Sequence, residues 1–179
     1  MAPKLNQSAR SAHRGFTLIE LVIVITIIGI LAAVALPRLI DAQRDARVAK
    51  ANSLFGAMRS AAALARSRCE LDLANVATST TTSNCASTNP VVNMDGYSVE
   101  IVNRYPKATA AGIDVAAQLN LTADGLTATS GTGPSGAPAR FYDVAGGTVP
   151  FCRVTYEEAR LSGSVIIGPP FNPPVTSGC

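Results

Sequence analysis

The stretch FTLIELVIVITIIGILAAVAL, from Phe16 to Leu36, decides the fold of this chain. It is apolar except for Thr17, Glu20 and Thr26. As an α-helix it would span about 31 Å, which matches the thickness of the hydrocarbon core of a bilayer. The stretch therefore predicts a helix that crosses a membrane.

The fifteen residues before this stretch are basic: they carry Lys4, Arg10 and Arg14 and no acidic residue. Positive charge beside an apolar helix holds that end in the cytoplasm, so the rest of the chain is expected in the periplasm or outside the cell. A secretory signal has a shorter apolar region that ends at small residues. Here the apolar pattern continues past residues 32–35 (AAVA) into an amphipathic helix, which favours cleavage on the cytoplasmic side.

Glu20 is the acidic residue within the apolar stretch, and an ionised carboxylate in a membrane is costly unless it has a partner. Cleavage between Gly15 and Phe16 would create an α-amino group that compensates this carboxylate, on the same helix or on a neighbouring one. Two interpretations stay open on the residues alone. Either assembly of identical subunits satisfies a buried charge, or Glu20 lies near enough to the interface to be solvated.

Residues 14–21, RGFTLIEL, resemble the processing motif of type IV prepilins and of type II secretion pseudopilins. The resemblance covers the basic leader, the glycine before the cut, the phenylalanine after it, the glutamate four residues later and the long apolar helix. It implies that a prepilin peptidase cuts after Gly15 and methylates the amine of Phe16. A monomethylated amine still carries charge, so its pairing with Glu20 survives.

Gly29 and Pro37 sit where this family has helix-weakening residues. Pro37 has no N–H to donate to the carbonyl of Ala33, and glycine lowers helix propensity. The helix is therefore expected to kink or melt locally. The resemblance implies a role for this segment in filament packing and stretching, whereas a kink that the membrane merely tolerates is the alternative that the residues leave open.

The segment from 38 to 68 is rich in helix formers and predicts an amphipathic stalk helix that continues the apolar one. Its apolar stripe is expected to lie on a sheet. The stripe consists of residues at three- and four-residue intervals: Ala51, Leu54, Met58, Ala61 and Ala65.

The basic side chains of the stalk raise the question of nucleic acid. Arg44, Arg47, Lys50 and Arg59 are candidates for DNA contacts, yet from Phe16 onward twelve basic side chains balance twelve acidic ones. A balanced surface argues against a DNA footprint, so a solvated face or a subunit contact is favoured over nucleic acid.

Beyond the stalk, residues 69–179 predict a head with an antiparallel sheet of three or four strands. Four runs rich in β-branched and aromatic residues are separated by turn residues. They are GYSVEIV (96–102), ARFYDV (139–144), PFCRVTY (150–156) and GSVIIG (163–168). The fold class is therefore α+β, with a long N-terminal helix packed on a small sheet.

The connections of the head are read from composition. A Ser, Thr and Asn-rich loop is expected at 76–90, a short helix at 110–120 and an exposed Gly, Ser and Pro-rich loop at 127–139. The ending at 168–179 has too many prolines for a helix and needs an anchor.

Four cysteines, Cys69, Cys85, Cys152 and Cys179, have no CxxC spacing, and His13 in the leader is the one histidine. A zinc site is disfavoured and no metal is predicted. Two disulfides formed outside the cytoplasm are expected, and three connectivities are possible. Pairing Cys69 with Cys85 and Cys152 with Cys179 is favoured because both close short loops, and reduced buried thiols are the alternative.

Catalysis is not predicted. The processed chain has no histidine, which removes the commonest general base. Asp143, Glu157 and Glu158 are carboxylates of a kind that usually lies on the surface, and GTGPSG at 131–136 lacks the lysine of a phosphate loop. No cofactor is expected.

More narrowly, residues 36–68, 103–113 and 151–159 are similar to pilins of the mannose-sensitive haemagglutinin (MSHA) type. The resemblance implies a surface filament for adhesion or motility, built of copies of the chain. The resemblance also implies three kinds of partner: a prepilin peptidase, an inner-membrane assembly platform with its ATPases, and lipid before assembly. A minor pilin, a type II secretion pseudopilin and a tip binding module stay open as alternatives.

The expected organisation is a cleaved leader (1–15), a membrane and filament-core helix (16–37), the stalk (38–68) and an extracellular head (69–179). The precursor is expected in the bacterial inner membrane as a single-pass protein with a cytoplasmic N-terminus, and the processed chain in an extracellular pilus.

Overall fold

The computed structural model describes residues 15–74, 84, 85 and 87–179. The chain divides into two compact units, one ending at Ala42 and the other running from Gln43 to Cys179. Helix α1 runs from Leu18 to Leu73. Small antiparallel sheets follow it, which confirms the predicted α+β class.

In the first unit, α1 exposes its apolar side chains. Leu18, Ile30 and Leu31 have exposed fractions of 81%, 70% and 65%. The helix is long and apolar enough to cross a membrane, with a mean hydropathy of 2.9 over its most apolar window and none of that window buried. The large apolar surface predicted from the sequence is therefore present and uncovered in the single chain.

In the second unit, α1 buries one stripe. The predicted residues Ala51, Leu54, Met58, Ala61 and Ala65 are all buried, together with Ala62 and Cys69. The helix was expected to end near residue 68 but continues to Leu73. Cys69 lies four residues after Ala65 and is 1% exposed, so the buried stripe extends one turn further.

In the part of the chain that the structure describes, eight strands form three antiparallel sheets. The first contains β1 (Val91–Met94), β2 (Tyr97–Val102) and β3 (Tyr105–Pro106); the second contains β4 (Leu126–Thr132), β5 (Pro138–Val144) and β6 (Arg153–Glu157); the third pairs β7 (Arg160–Ser162) with β8 (Val165–Ile167). The prediction of one sheet with three or four strands was therefore wrong in number, although the four predicted runs overlap β2, β5, β6 and β8.

The expected loop at 127–139 is mostly sheet. Strand β4 pairs along its length with β5, with Gly131 opposite Ala139. A Cβ at Gly131 would lie 3.0 Å from Cε2 of Phe141, so the glycine makes room for that ring. Gly131 was interpreted as a sign of a loop. It lies in a strand instead, where the lack of a side chain allows close approach of the Phe141 ring. The turn itself is confined to 133–137, closed by the Gly133 amide donating to the Ala137 carbonyl at 2.8 Å.

A short helical segment is present where one was expected. A π-helical turn, Ala110–Asp114, is capped by Thr109, whose hydroxyl accepts from the Gly112 amide. The expected loop at 76–90 falls mostly outside the described residues.

Two core clusters lie along the stalk. Leu54 and Met58 belong to the cluster that contains Tyr142, Val154 and Tyr156 of the second sheet. The other cluster joins the later part of the stripe to the first sheet through Ala61, Ala65, Cys69, Val92, Val99 and Ile101. Successive turns along the buried face of α1 therefore pack against different sheets.

Two disulfides join Cys69 to Cys85 and Cys152 to Cys179. This is the pairing that short loop closure favours. The C-terminal residues 168–179 form no helix, and a single bridge pairs Val175 with Arg153. The disulfide supplies the anchor that this proline-rich ending needs.

Candidate functional site

The predicted cleavage position lies just before the helix. Gly15, Phe16 and Thr17 are outside α1, and Phe16 is 89% exposed. A Cβ built on Gly15 would meet no atom within 4 Å. Among the described residues, nothing in the fold therefore requires glycine at position 15. The basic leader lies outside the described residues.

Glu20 and Thr17 form a reciprocal cap at the start of α1. The Thr17 amide and hydroxyl donate to Oε2 of Glu20 at 3.3 and 3.1 Å, and the Glu20 amide donates to Oγ1 of Thr17 at 3.3 Å. This is a capping box, in which two side chains satisfy N–H groups that the first helical turn leaves without partners. A carboxylate there is also favoured by the helix dipole.

The capping box was missed in the sequence analysis, although its signal is present. Thr17 followed three residues later by Glu20, directly before an apolar run, is the pattern that predicts it. Glu20 thus has a local role in one chain that neither open interpretation included. Its pairing with the amine of Phe16 stays a prediction, because that amine forms only on cleavage.

Helix α1 accommodates Thr26, Gly29 and Pro37, the other residues of the apolar segment that could disturb it. Thr26 donates its hydroxyl to the Ile23 carbonyl at 2.8 Å, so this polar group is satisfied within the helix. Helix α1 continues through Gly29 and Pro37, so the expected local melting is not seen in the single chain. Loss of one donor at Pro37 removes one hydrogen bond while the neighbouring turns keep theirs. The roles of both residues in assembly stay predictions.

Two of the four basic stalk residues weighed as DNA contacts are used inside the second unit. The Arg47 side chain donates through Nε to the carbonyl of Cys179, and the Arg59 guanidinium lies 5.9 Å from the ring centre of Phe171. Both arginines thereby fasten the C-terminal residues to the stalk.

A buried polar network holds the π-helical turn against the second sheet. Asp114 accepts from Nε of Arg140 at 2.8 Å and from Nη2 at 2.6 Å, and also from the hydroxyl of Tyr142. Asp114 is 7% exposed and Tyr142 is fully buried. Nothing in the sequence signals this network, because its members lie 26 and 28 residues apart along the chain.

The network keeps its two donors, Arg140 and Tyr142, protonated. The hydrogen bond to Asp114 raises the pKa of Arg140, which therefore stays charged. Burial, and then the hydrogen bond to Asp114, raises the pKa of Tyr142, which keeps its proton and stays a donor. Both donors therefore stay in place around one carboxylate, which makes the network structural.

The three carboxylates considered for catalysis are also in use. Asp143 is buried and paired with Arg153 at 2.7 Å, and Glu158 accepts from the Ala108 amide at 2.8 Å. Glu157 is fully buried and accepts from the Ser135 amide and hydroxyl and from Asn172. The expectation of surface acids was therefore wrong for Asp143 and Glu157, because neighbouring donors compensate their burial.

The comparisons with known proteins point to one family. Residues 10–36 match the model described as the prokaryotic N-terminal methylation motif. The type IV narrow pilus major component PilA5 of Thermus thermophilus is 54% identical over 52 residues, which are 29% of this chain and 45% of that protein. A fimbrial protein of Moraxella nonliquefaciens is 34% identical over 116 residues, which are 65% of this chain and 62% of the relative.

The type IV major fimbrial protein FimA of Dichelobacter nodosus is 48% identical over 52 residues, 29% of this chain and 33% of that protein. In each case the match covers less than two thirds of the relative's length. No solved structure matches significantly. The chain is therefore similar to type IV pilins in its methylation motif and its N-terminal helix, and it shares with these relatives the stretches that they match.

Proposed function

We propose that this chain is the structural subunit of a type IV pilus. It is cut between Gly15 and Phe16, N-methylated on Phe16, and assembled with copies of itself into a surface filament of the MSHA type that serves adhesion or motility. The precursor is a single-pass inner-membrane protein with its leader in the cytoplasm.

The observation that carries this proposal is the uncovered apolar side of α1 in the first unit. The exposed large apolar side chains include Phe16, Leu18, Ile19, Leu21, Val22, Ile23, Val24, Ile25, Ile27, Ile28, Ile30, Leu31, Val34, Leu36, Leu39 and Ile40. Burying one such side chain contributes about 1.5–3 kcal/mol. A surface of this size needs a cover, which lipid supplies to the precursor and neighbouring copies supply in the filament.

The charge of Glu20 supports an order in which cleavage comes before assembly into the filament. While the leader is attached, the amide at Phe16 carries no charge, and the partners of Glu20 among the described residues are the cap donors of Thr17. Cleavage exposes a cationic amine four residues before the carboxylate. A charge within an apolar environment is stabilised by an opposite charge, so processing prepares the chain to leave the lipid for the filament core.

A prepilin peptidase, an assembly platform and its ATPases complete the proposal. These partners follow from the family and from the chemistry of the cut. The open space around Gly15 among the described residues supports a glycine requirement that comes from the peptidase.

The first experiment is intact mass and N-terminal peptide mapping of sheared surface filaments under nonreducing conditions. The expected result is abundant fibre whose subunit begins at a methylated Phe16 and contains two disulfides. Unprocessed chain confined to the membrane would contradict the proposal. Processed chain that is absent from fibres would indicate a minor pilin or a secretion pseudopilin.

A matched pair of variants separates the two roles of Glu20. Glu20→Gln keeps an acceptor for the Thr17 cap but removes the charge, because glutamine also serves in a capping box. Thr17→Ala removes the cap but keeps the charge. If the charge directs assembly, Glu20→Gln abolishes filaments while Thr17→Ala retains them. Filaments of normal yield from Glu20→Gln would refute the charge pairing.

A further inference from the structure

Strand β4 of the second unit is an edge strand whose outer side is uncovered. It pairs with β5 on one side, and among residues 15–74, 84, 85 and 87–179 no further strand or bridge pairs with it. The strand is seven residues long, and all of them except Leu126 and Ala128 are exposed. A long exposed edge presents unpaired backbone N–H and C=O groups, which are a template for a strand of another chain.

The other edge strands of the described chain are protected. Isolated bridges join β1 to Asn84 and β6 to Val175. Strand β3 has two residues and includes Pro106, which has no N–H. Strands β7 and β8 have three residues each. Short length, proline, charge and bulges keep sheet edges from pairing with other chains, whereas β4 is long, uncharged, free of proline and in continuous register with β5.

The pairing with β5 shows which backbone groups of β4 point outward. The Gly133 amide donates to the Ala137 carbonyl across the turn, so position 133 bonds toward β5, as do the odd-numbered positions before it. Direction alternates along an antiparallel strand. The N–H and C=O groups of Ala128, Ser130 and Thr132 therefore point to the free edge, where the described residues offer them no backbone partner.

This edge is complementary to itself. When two copies of β4 lie antiparallel with Ser130 opposite Ser130, Ala128 of each copy lies opposite Thr132 of the other. All of these pairs bring outward groups together and form about six backbone hydrogen bonds. Because β4 has no charged residue, no like charges of the two strands meet across the contact.

We propose that the free edge of β4 pairs with the β4 edge of a second copy of this chain, which joins two three-stranded sheets into one continuous sheet. Both copies use the same residues, so the contact is symmetric and closes after two copies. It therefore does not build a filament. Its consequence for filaments rests on the proposed function: the two copies belong to different filaments, and repeated contacts hold the filaments side by side.

Cysteine cross-linking of the full chain in detergent tests the register. In Ser130→Cys the two new thiols lie opposite each other, at a Cα separation of about 5.5 Å that a disulfide can bridge. The matched control is Thr127→Cys, which is exposed on the same strand. In this register Thr127 lies opposite residue 133, so its two copies are about 20 Å apart. Under mild oxidation Ser130→Cys should give at least about tenfold more covalent dimer than the control.

A charge at the edge tests the contact between filaments. Thr129→Lys places two like charges diagonally across the paired strands. It should lower the fraction of filaments that lie in side-by-side bundles about fivefold, as counted in electron micrographs, without lowering filament yield. The matched control Ser162→Lys adds the same charge at an exposed position of β7 and should leave bundling unchanged.

Equal dimer from the two cysteine variants, or no dimer from Ser130→Cys, would overturn the pairing. Cross-linking of Ser130→Cys in whole cells to a different protein instead of to itself would show another occupant and would also overturn it. Thr129→Lys filaments that bundle as often as those of Ser162→Lys would overturn the contact between filaments. A Ser130→Cys dimer from a chain that forms no filament would support the pairing and contradict the proposed function.

Discussion

Replacing Asp114 by alanine should destabilise the head strongly. The substitution leaves the Arg140 guanidinium, whose side chain is 11% exposed, without its carboxylate, and it leaves the hydroxyl of buried Tyr142 without its acceptor. Breaking a buried ion pair from one side costs about 3–5 kcal/mol. The residual exposure of Arg140 lets it reach water in part, so the lower end, about 3 kcal/mol, is expected.

The assay is equilibrium urea unfolding and thermal denaturation of the full chain in detergent. For a head of this size, about 3 kcal/mol lowers Tm by roughly 10 °C. The control is Asp41→Ala, because Asp41 is exposed on the same protein and has no ion pair among the described residues. Its effect should stay within about 0.5 kcal/mol.

A triple variant tests the physical cause. Asp114→Leu with Arg140→Met and Tyr142→Phe removes every charge and hydroxyl of the network and should regain most of the lost stability, since apolar packing replaces buried ion pairs at little cost. A loss below about 1 kcal/mol in Asp114→Ala would refute the reasoning, because the guanidinium would then be solvated.

Three further predictions concern the head. Cys152→Ser opens a loop with a sequence separation of 27 and should lower the free energy of unfolding by about 3–4 kcal/mol, measured in urea under nonreducing conditions against oxidised wild type. Gly112→Ala should cost more than about 2 kcal/mol because its Cβ would lie 2.2 Å from the Lys107 carbonyl oxygen, whereas Gly56→Ala in open space on α1 should be neutral or stabilising. Burial raises the pKa of Tyr142 and of Tyr156 above the usual value of about 10, so stability is full below that pH and falls above it as the unfolded tyrosines ionise first. Urea titrations above pH 10 should show a shallower decline in Tyr156→Phe, and an unchanged decline would contradict this assignment.

Helices and strands could be predicted from the sequence where one hydrophobic period or one residue type dominates a segment. The stripe from Ala51 to Ala65 was predicted residue by residue because burial of one helix face imposes spacings of three and four. The runs that became β5 and β6 were found because β-branched and aromatic residues fit a pleated surface. Strand β1 was missed because it follows a polar segment that reads as loop, and its pairing with β2 depends on the turn at Asp95 and Gly96.

The residues considered for function also fall into two groups: those that neighbouring residues predict, and those whose contacts come from distant parts of the chain. The roles of Gly15, Phe16 and Glu20 were predicted from adjacent residues and stay predictions, whereas the apolar helix predicted from the same stretch is present. The capping box was equally local and was overlooked. The burial of Glu157 could not be predicted from the sequence, because its hydrogen-bond donors at Ser135 and Asn172 come from a turn and from the C-terminal ending.

The sequence by itself determined that this chain has a long helix with one apolar and one amphipathic half and a small cysteine-tied head, and it predicts processing of the N-terminal segment. These properties follow from composition and period along neighbouring residues. Only the tertiary structure decided that the described residues of the head form three sheets, and that Asp114, Asp143 and Glu157 are buried rather than solvated. The physical reason is that the burial of a charge depends on donors brought from distant parts of the chain, and no local pattern records which donors will arrive.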